Sequence, residues 1–140
     1  MIGVIGTAPE ADSVSTMIPM DHGGNMDCTA AAPGSVLYLP VNVPGALLAM
    51  GDLHAIMGEG ECGNCGVEIG GRVTVRVSLL KGRSIPWPLI ETADKWMALA
   101  SAETVDEPAV RRLPGCTASS RTMRAWSRWM QECLSICSAI

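Results

Sequence analysis

Phenylalanine is absent from this chain of 140 residues, and its only aromatics are four Trp and one Tyr. The missing Phe excludes nothing by itself; the other absences exclude more. No apolar run reaches the roughly 20 residues a membrane helix needs, so no membrane span is expected. Met1 to Thr7 carries no basic residue, so the start of the chain does not read as a secretory signal, and the expected address is the cytoplasm. Net charge is −4, which removes the electrostatic footprint of a nucleic-acid binder. There are no internal repeats. The Cys62-Gly63-Asn64-Cys65 turn has no second ligand pair at zinc-finger spacing, since Cys133 and Cys137 stand four apart. It also opens no helix after a strand, as a thioredoxin-like site would. Neither a zinc nor a redox role is assigned to it. In a reducing compartment the six cysteines (28, 62, 65, 116, 133 and 137) are expected to be mostly free thiols.

What is present fits one globular domain. Hydrophobic residues make up 48% and charged residues 17%, so composition does not favour disorder. The 15 Gly and 9 Pro favour turns over long helices. The net charge conceals an asymmetry: residues 1–110 carry 5 basic and 13 acidic side chains, whereas residues 111–140 carry five Arg and one Glu.

Met1–Gly6 reads as a short buried strand and Pro9–Pro19 as a polar loop, with the segment after it still in loop. Ser35–Pro40 reads as a strand at a sheet edge, because Pro40 and Pro44 interrupt further pairing. Ala46–Met50 suits a strand or one helical turn. Cys65–Ile69 and Arg72–Leu80 predict a hairpin across Gly70-Gly71. In its second arm Val73, Val75, Val77 and Leu79 alternate with Arg72, Thr74, Arg76 and Ser78, the period-two pattern of a half-buried strand. Pro86-Trp87-Pro88 forces extended backbone, and Leu89–Thr92 adds a strand. Short helices are expected near residues 92–112, with Asp106 as a cap before Glu107-Pro108, and a C-terminal helix is expected over 122–137. The fold class is mainly β, sandwich-like, with many short strands and loops.

Two Gly-rich segments hold both histidines. In the first, His22 and Asp27 flank Gly23, Gly24, Asn25 and Met26; the bland reading is a solvated polar turn, and the functional one is a set of convergent polar groups. In the second, Asp52 and His54 stand two apart, which on extended backbone puts both side chains on one face. That suits two ligands of one metal, or an Asp orienting a His, against a surface ion pair. Glu59 and Glu61 flank Gly60, either as a solvated acidic turn or as a general base beside a ligand or substrate clamp. At the other end, Met123, Trp126, Met130, Leu134 and Cys137 recur at helical spacing among arginines, which suits a core-docking helix or a basic partner-binding helix.

These residues resemble the acetamidase/formamidase family. The resemblance rests on Gly3-Val-Ile-Gly6, His22-Gly-Gly-Asn-Met-Asp27, Leu37-Tyr-Leu-Pro-Val41, Val43-Pro-Gly-Ala46, Gly51-Asp-Leu-His-Ala55, Gly58-Glu-Gly-Glu61 and Val73-Thr-Val-Arg76, in order, over about residues 1–110. It implies a β-sandwich-type fold, hydrolysis of small amides such as formamide or acetamide to acid and ammonia, a bound divalent metal such as zinc, and homo-oligomeric assembly. It places Asp27, Asp52 and His54 as metal ligands and Glu59, Glu61, His22 and Asn25 as catalytic residues, and it nominates no cysteine. Members of this family are about twice as long, with Gly3-Val-Ile-Gly6 near their middle, so residues 1–110 are expected to be the C-terminal part of a larger enzyme.

Nothing after Arg112 resembles the family in this reading frame. In a shifted frame, the codons of Trp129-Met130 must give Asp and those of Met130-Gln131 must give Ala. Neighbouring codons allow the rest of the family's terminal segment. Residues 111–140 are therefore expected to be an out-of-frame translation. Three functional readings follow: an amide hydrolase, an inactive β domain or binding module that keeps the scaffold, and a basic tail that binds a partner.

Overall fold

A computed structural model of the chain describes residues 1–11 and 13–102. The Asp106 helix start, the 122–137 helix and the basic tail lie outside the described residues. All described strands fall in one compact unit, Met1–Ser101. The fold is mainly β: among the described residues, eight strands form two antiparallel sheets.

The first sheet has the order β2-β3-β1-β5-β6, where β1 is Ile2–Gly6, β2 Pro19–Met20, β3 Gly23–Asn25, β5 Ala49–Ile56 and β6 Val67–Glu68. Strand β1 lies at its centre, as the apolar Ile2-Gly3-Val4-Ile5 run suggests. It pairs with β3 (Val4 opposite Asn25) and with β5 (Val4 opposite Gly51). The second sheet has the order β4-β7-β8, where β4 is Val36–Tyr38, β7 Leu89–Glu91 and β8 Trp96–Ala98. Ile90 of β7 is fully buried and forms a core cluster with Cys28 and Ala31, flanked by Met26, Leu37, Met97 and Leu99.

Three sequence expectations need correction. The His22 segment is not loop but the tight β2–β3 hairpin, with Met20 opposite Gly23. Its Gly-Gly pair takes φ of +103° and +100°, and a Cβ at Gly23 would strike the Ile5 carbonyl oxygen and lie 2.9 Å from the Gly6 Cα. Glycine is needed there because β1 and β3 approach too closely for a side chain. Next, the described part of 92–112 holds no helix. Trp96–Ala98 is strand β8, because its backbone completes the ladder on β7 and the Trp96 ring stacks on Tyr38 with centroids 5.3 Å apart. Finally, the Gly70-Gly71 hairpin does not form. Only Val67–Glu68 pairs, and it pairs with β5 rather than with residues 72–80. A local turn signal yields when a strand finds a longer-range partner.

Candidate metal centre

The centre is assembled by β1 and β5. Gly51-Asp52-Leu53-His54 runs along β5 opposite Ile2-Gly3-Val4, and the His54 N–H donates to the Met1 carbonyl at 3.1 Å. Asp52 and His54 meet, with Asp52 Oδ1 3.6 Å from His54 Nε2, although Asp52 takes a left-handed φ of +55° rather than the extended backbone that the period-two expectation assumed. The chain leaving β3 brings Asp27 to the same place. The Asp27 N–H donates to the Gly3 carbonyl at 3.2 Å, and the Gly60 N–H donates to the Asp27 carbonyl at 2.9 Å. That last bond ties the Glu59–Glu61 turn to the group.

Single ligand atoms of Asp27, Asp52 and His54 lie within 4.8 Å of one another. His54 and Asp27 are buried, at 2% and 6% exposure, while Asp52 opens to the surface. Two more carboxylates close in on the same imidazole nitrogen: Glu61 Oε1 at 3.1 Å and Glu68 Oε1 at 3.2 Å. One Nε2 can donate to only one of them. The buried Asp27 Oδ1 accepts no hydrogen bond, and the buried Glu61 Oε1 has the imidazole contact in place of one. Four carboxylates around one imidazole, with a buried Asp27 oxygen left unpartnered, fit a divalent cation: oxygen and imidazole donors suit zinc and several other ions.

Backbone geometry supports this. Asp27, Asp52 and Glu61 all take left-handed φ, at +43°, +55° and +45°. Such conformations cost on the order of 1–3 kcal/mol each and concentrate at functional sites. Asp tolerates this region; Glu does so less readily.

Of the other sequence candidates, Glu59 is exposed and accepts a hydrogen bond from Thr29 Oγ1. Asn25 Nδ2 donates to the Met17 carbonyl at 3.4 Å, while its buried Oδ1 has no partner. His22 is buried. No hydrogen bond or ion pair joins the side chains of Glu59, His22 or Asn25 to the His54 group among the described residues. Cys62 and Cys65 are free and exposed. Burial pushes the Cys28 thiol up from its ordinary value, which keeps it protonated at neutral pH and a poor nucleophile.

Sequence reasoning missed Glu68. It stands directly opposite His54 across the β5–β6 ladder, a relation that no local spacing reveals. It also missed Gly3, where a Cβ would lie 2.6 Å from Asp27 Oδ1, 2.7 Å from Asp52 Oδ2 and 2.7 Å from His54 Cε1. The glycine leaves room for all three side chains.

Burial first, and then the neighbouring Asp52 carboxylate, raise the Asp27 carboxyl above its ordinary range, with His54 opposing. A folded carboxyl with a raised pKa holds its proton longer than the unfolded chain does. Stability of the metal-free protein therefore falls as pH rises from the ordinary carboxylate value through the raised one. Asp27→Asn removes that penalty and keeps a residue that tolerates positive φ. It is expected to raise the melting temperature of the metal-free protein at pH 7, with the advantage shrinking as pH falls toward the ordinary carboxylate value. Thermal melts with chelator across pH check this; an equal effect at every pH would sink it.

This group of Asp, Glu and His side chains on a β scaffold is of the kind hydrolytic metalloenzymes use. The model of the Acetamidase/Formamidase family matches residues 2–112, and the chain belongs to that family. It is 43% identical over 72 residues to the acetamidase of Mycolicibacterium smegmatis, covering 51% of this chain and 18% of that protein. The formamidase of Methylophilus methylotrophus gives the same identity and coverage. Among solved structures, the acetamidase of Bacillus halodurans is 53% identical, with a TM-score of 0.76 over 79% of this chain and 38% of that one. The acetamidase of Yersinia enterocolitica is 35% identical, with a TM-score of 0.78 over 93% of this chain and 40% of that one. The chain thus aligns with less than half the length of each of these relatives.

Proposed function

We propose that the His54 group binds a divalent cation and belongs to a site that hydrolyses small linear amides, of the formamide or acetamide kind, to a carboxylic acid and ammonia. The observation that carries this reading is the convergence of Asp27, Asp52, Glu61 and Glu68 on His54, with a buried Asp27 oxygen that accepts no hydrogen bond. Family membership supplies the reaction class, because the relatives are acetamidases and formamidases.

Asp27, Asp52 and His54 would hold the cation, which when bound polarises the amide carbonyl and makes water more acidic. Glu61, its side chain 13% exposed, takes the proton of the attacking water on a carboxylate oxygen. It then returns that proton to the amide nitrogen, so that amide and water leave as acid and ammonia. The three ligands occupy β5 and the chain just after β3, while Glu61 sits on a turn held to the Asp27 backbone. The base is therefore positioned by the ligand set itself. Glu68, 64% exposed, stands 3.2 Å from His54 Nε2 and would hold the ring only until a cation takes that nitrogen.

Ammonia release from formamide, with and without chelator, tests the reading. Chelation is expected to abolish release, and a divalent cation to restore it. In parallel, His54→Ala is expected to lower cation affinity by more than about 100-fold, beyond what loss of an outer hydrogen-bonding partner costs, measured by calorimetric titration. Cation binding without ammonia release under any condition would favour the inactive-domain reading. Absence of cation binding would sink the site.

A further inference from the structure

Cys62-Gly63-Asn64-Cys65 has no part in the chemistry above, yet it is built into the turn that carries Glu61. Both thiols are free and exposed, whereas Cys28 is buried. Cys62 follows Glu61 directly, and Cys65 precedes Gly66. Those two flanking residues meet: a Cβ at Gly66 would overlap Glu61 Oε1, and would lie 2.8 Å from the Ile56 carbonyl oxygen and 2.9 Å from His54 Cδ2. The Glu61 side chain thus reaches Gly66 and closes the loop, with the two cysteines just inside. The backbone between them turns tightly. The Glu61 carbonyl accepts the Asn64 N–H at 2.7 Å, Cys62 takes φ −54° and ψ −17°, and Asn64 takes φ +83°. Cys62 Sγ donates to the Glu59 carbonyl at 3.5 Å, so the thiol is one of the groups that hold the Glu59–Glu61 turn.

We propose that Cys62 and Cys65 are a reversible modification site for low-molecular-weight disulfides, and that closing their own disulfide withdraws Glu61 from His54. One cysteine, as thiolate, attacks a sulfur of the reagent disulfide and expels one thiolate, leaving a mixed disulfide. The other cysteine attacks the protein sulfur of that mixed disulfide and expels the second thiolate. Two cysteine thiols become one disulfide, and their two electrons and two protons leave on the reagent, which becomes two thiols. A disulfide needs Cβ atoms about 3.5–4.5 Å apart and sulfurs about 2.05 Å apart. Cys62 Sγ must therefore leave the Glu59 carbonyl for Cys65, and the turn loses that bond. The movement falls on residues without slack. Gly66 already packs against Glu61 Oε1 and the His54 ring, and Glu61 Oε1 lies 3.1 Å from His54 Nε2. This proposal does not depend on the amidase reading, because it concerns the Glu61–His54 contact alone.

The test equilibrates the full chain with glutathione and glutathione disulfide, alkylates the remaining thiols, and cleaves after Glu, which releases Cys62–Glu68 as one peptide. Mass spectrometry is expected to find that peptide unalkylated and lighter by two hydrogens than its dithiol form. Cys62→Ser and Cys65→Ser are each expected to stop at the glutathione adduct. Closure is expected to be at least about tenfold more favourable than in a synthetic Gly58–Ile69 peptide, because the fold raises the effective concentration of one thiol at the other. The chain has two histidines, so their ring resonances can be followed separately. Oxidation is expected to shift those of His54 and to leave those of His22, dithiothreitol to restore them, and Cys62→Ser/Cys65→Ser to show no shift. Three results overturn the proposal: a wild-type chain that stops at the adduct or joins either cysteine to another one, closure no more favourable than in the peptide, or a disulfide that forms with the His54 resonances unmoved.

Discussion

Glu61→Gln is expected to cut the rate of ammonia release by about 10²–10⁴-fold, the usual contribution of a general base, while cation affinity changes little. Gln keeps the size of Glu and can still face His54, but it cannot accept a proton. The location of the loss distinguishes this role from a ligand's. A base mutant lowers kcat and leaves binding of cation and amide intact, whereas a ligand mutant loses the cation first. The backbone makes the substitution informative. Glu61 takes φ of +45°, and the Gly58 carbonyl accepts its N–H at 3.2 Å; Gln disturbs neither. If Glu61→Gln keeps full activity, the base lies elsewhere. If it loses the cation as His54→Ala does, Glu61 is a ligand.

Gly3→Val is expected to abolish cation binding and to destabilise the fold by about 1–3 kcal/mol, the range for overpacking a closed space. The argument is steric. Even a Cβ at residue 3 would meet Asp27 Oδ1, Asp52 Oδ2 and His54 Cε1 at under 3 Å. Gly3 lies on central strand β1, held between β3 and β5, so its backbone cannot yield without breaking two ladders. The ligands must move instead, and they are the groups that have to converge. Gly51, also on a site strand, is the control: a Cβ there meets nothing within 4 Å, so Gly51→Ala is expected to leave affinity within a few-fold of wild type. Calorimetric titration and denaturant melts of both variants check the pair. Equal effects would refute the steric argument.

Much of the site could be read along the chain. Asp52 and His54 stand two apart, and such near neighbours on one strand meet even though Asp52 departs from extended backbone. Asp27 and Glu61 were identifiable because carboxylates beside glycines suggest crowded polar groups. Glu59 carried the same local signal as Glu61, yet the turn directs it to Thr29 instead. Spacing cannot separate two carboxylates that flank a single glycine; the left-handed φ values at Gly60 and Glu61 decide which one faces inward. The failed hairpin has a similar cause. Gly70-Gly71 between two alternating runs is a sound local signal, but β6 pairs with β5, and the ladder to His54 takes precedence over the turn.

By itself, the sequence determined the β class, the strand at Ile2–Gly6, the strands at 36–38 and 89–91, the nearness of Asp52 to His54 and the family. These depend on period-two patterning and on several short motifs in order, and both are properties of nearby residues. Only the tertiary structure decided that Glu68 stands opposite His54, that Gly3 leaves room for the Asp27, Asp52 and His54 side chains, that Glu61 rather than Glu59 approaches the imidazole, and that the alternating run at 72–80 has no partner within the described residues. Each of these is a contact, or a missing contact, set by strand register and by which strands share a sheet. Register is fixed by packing over the whole fold, and residues far apart in sequence carry no local mark of the partner they will meet.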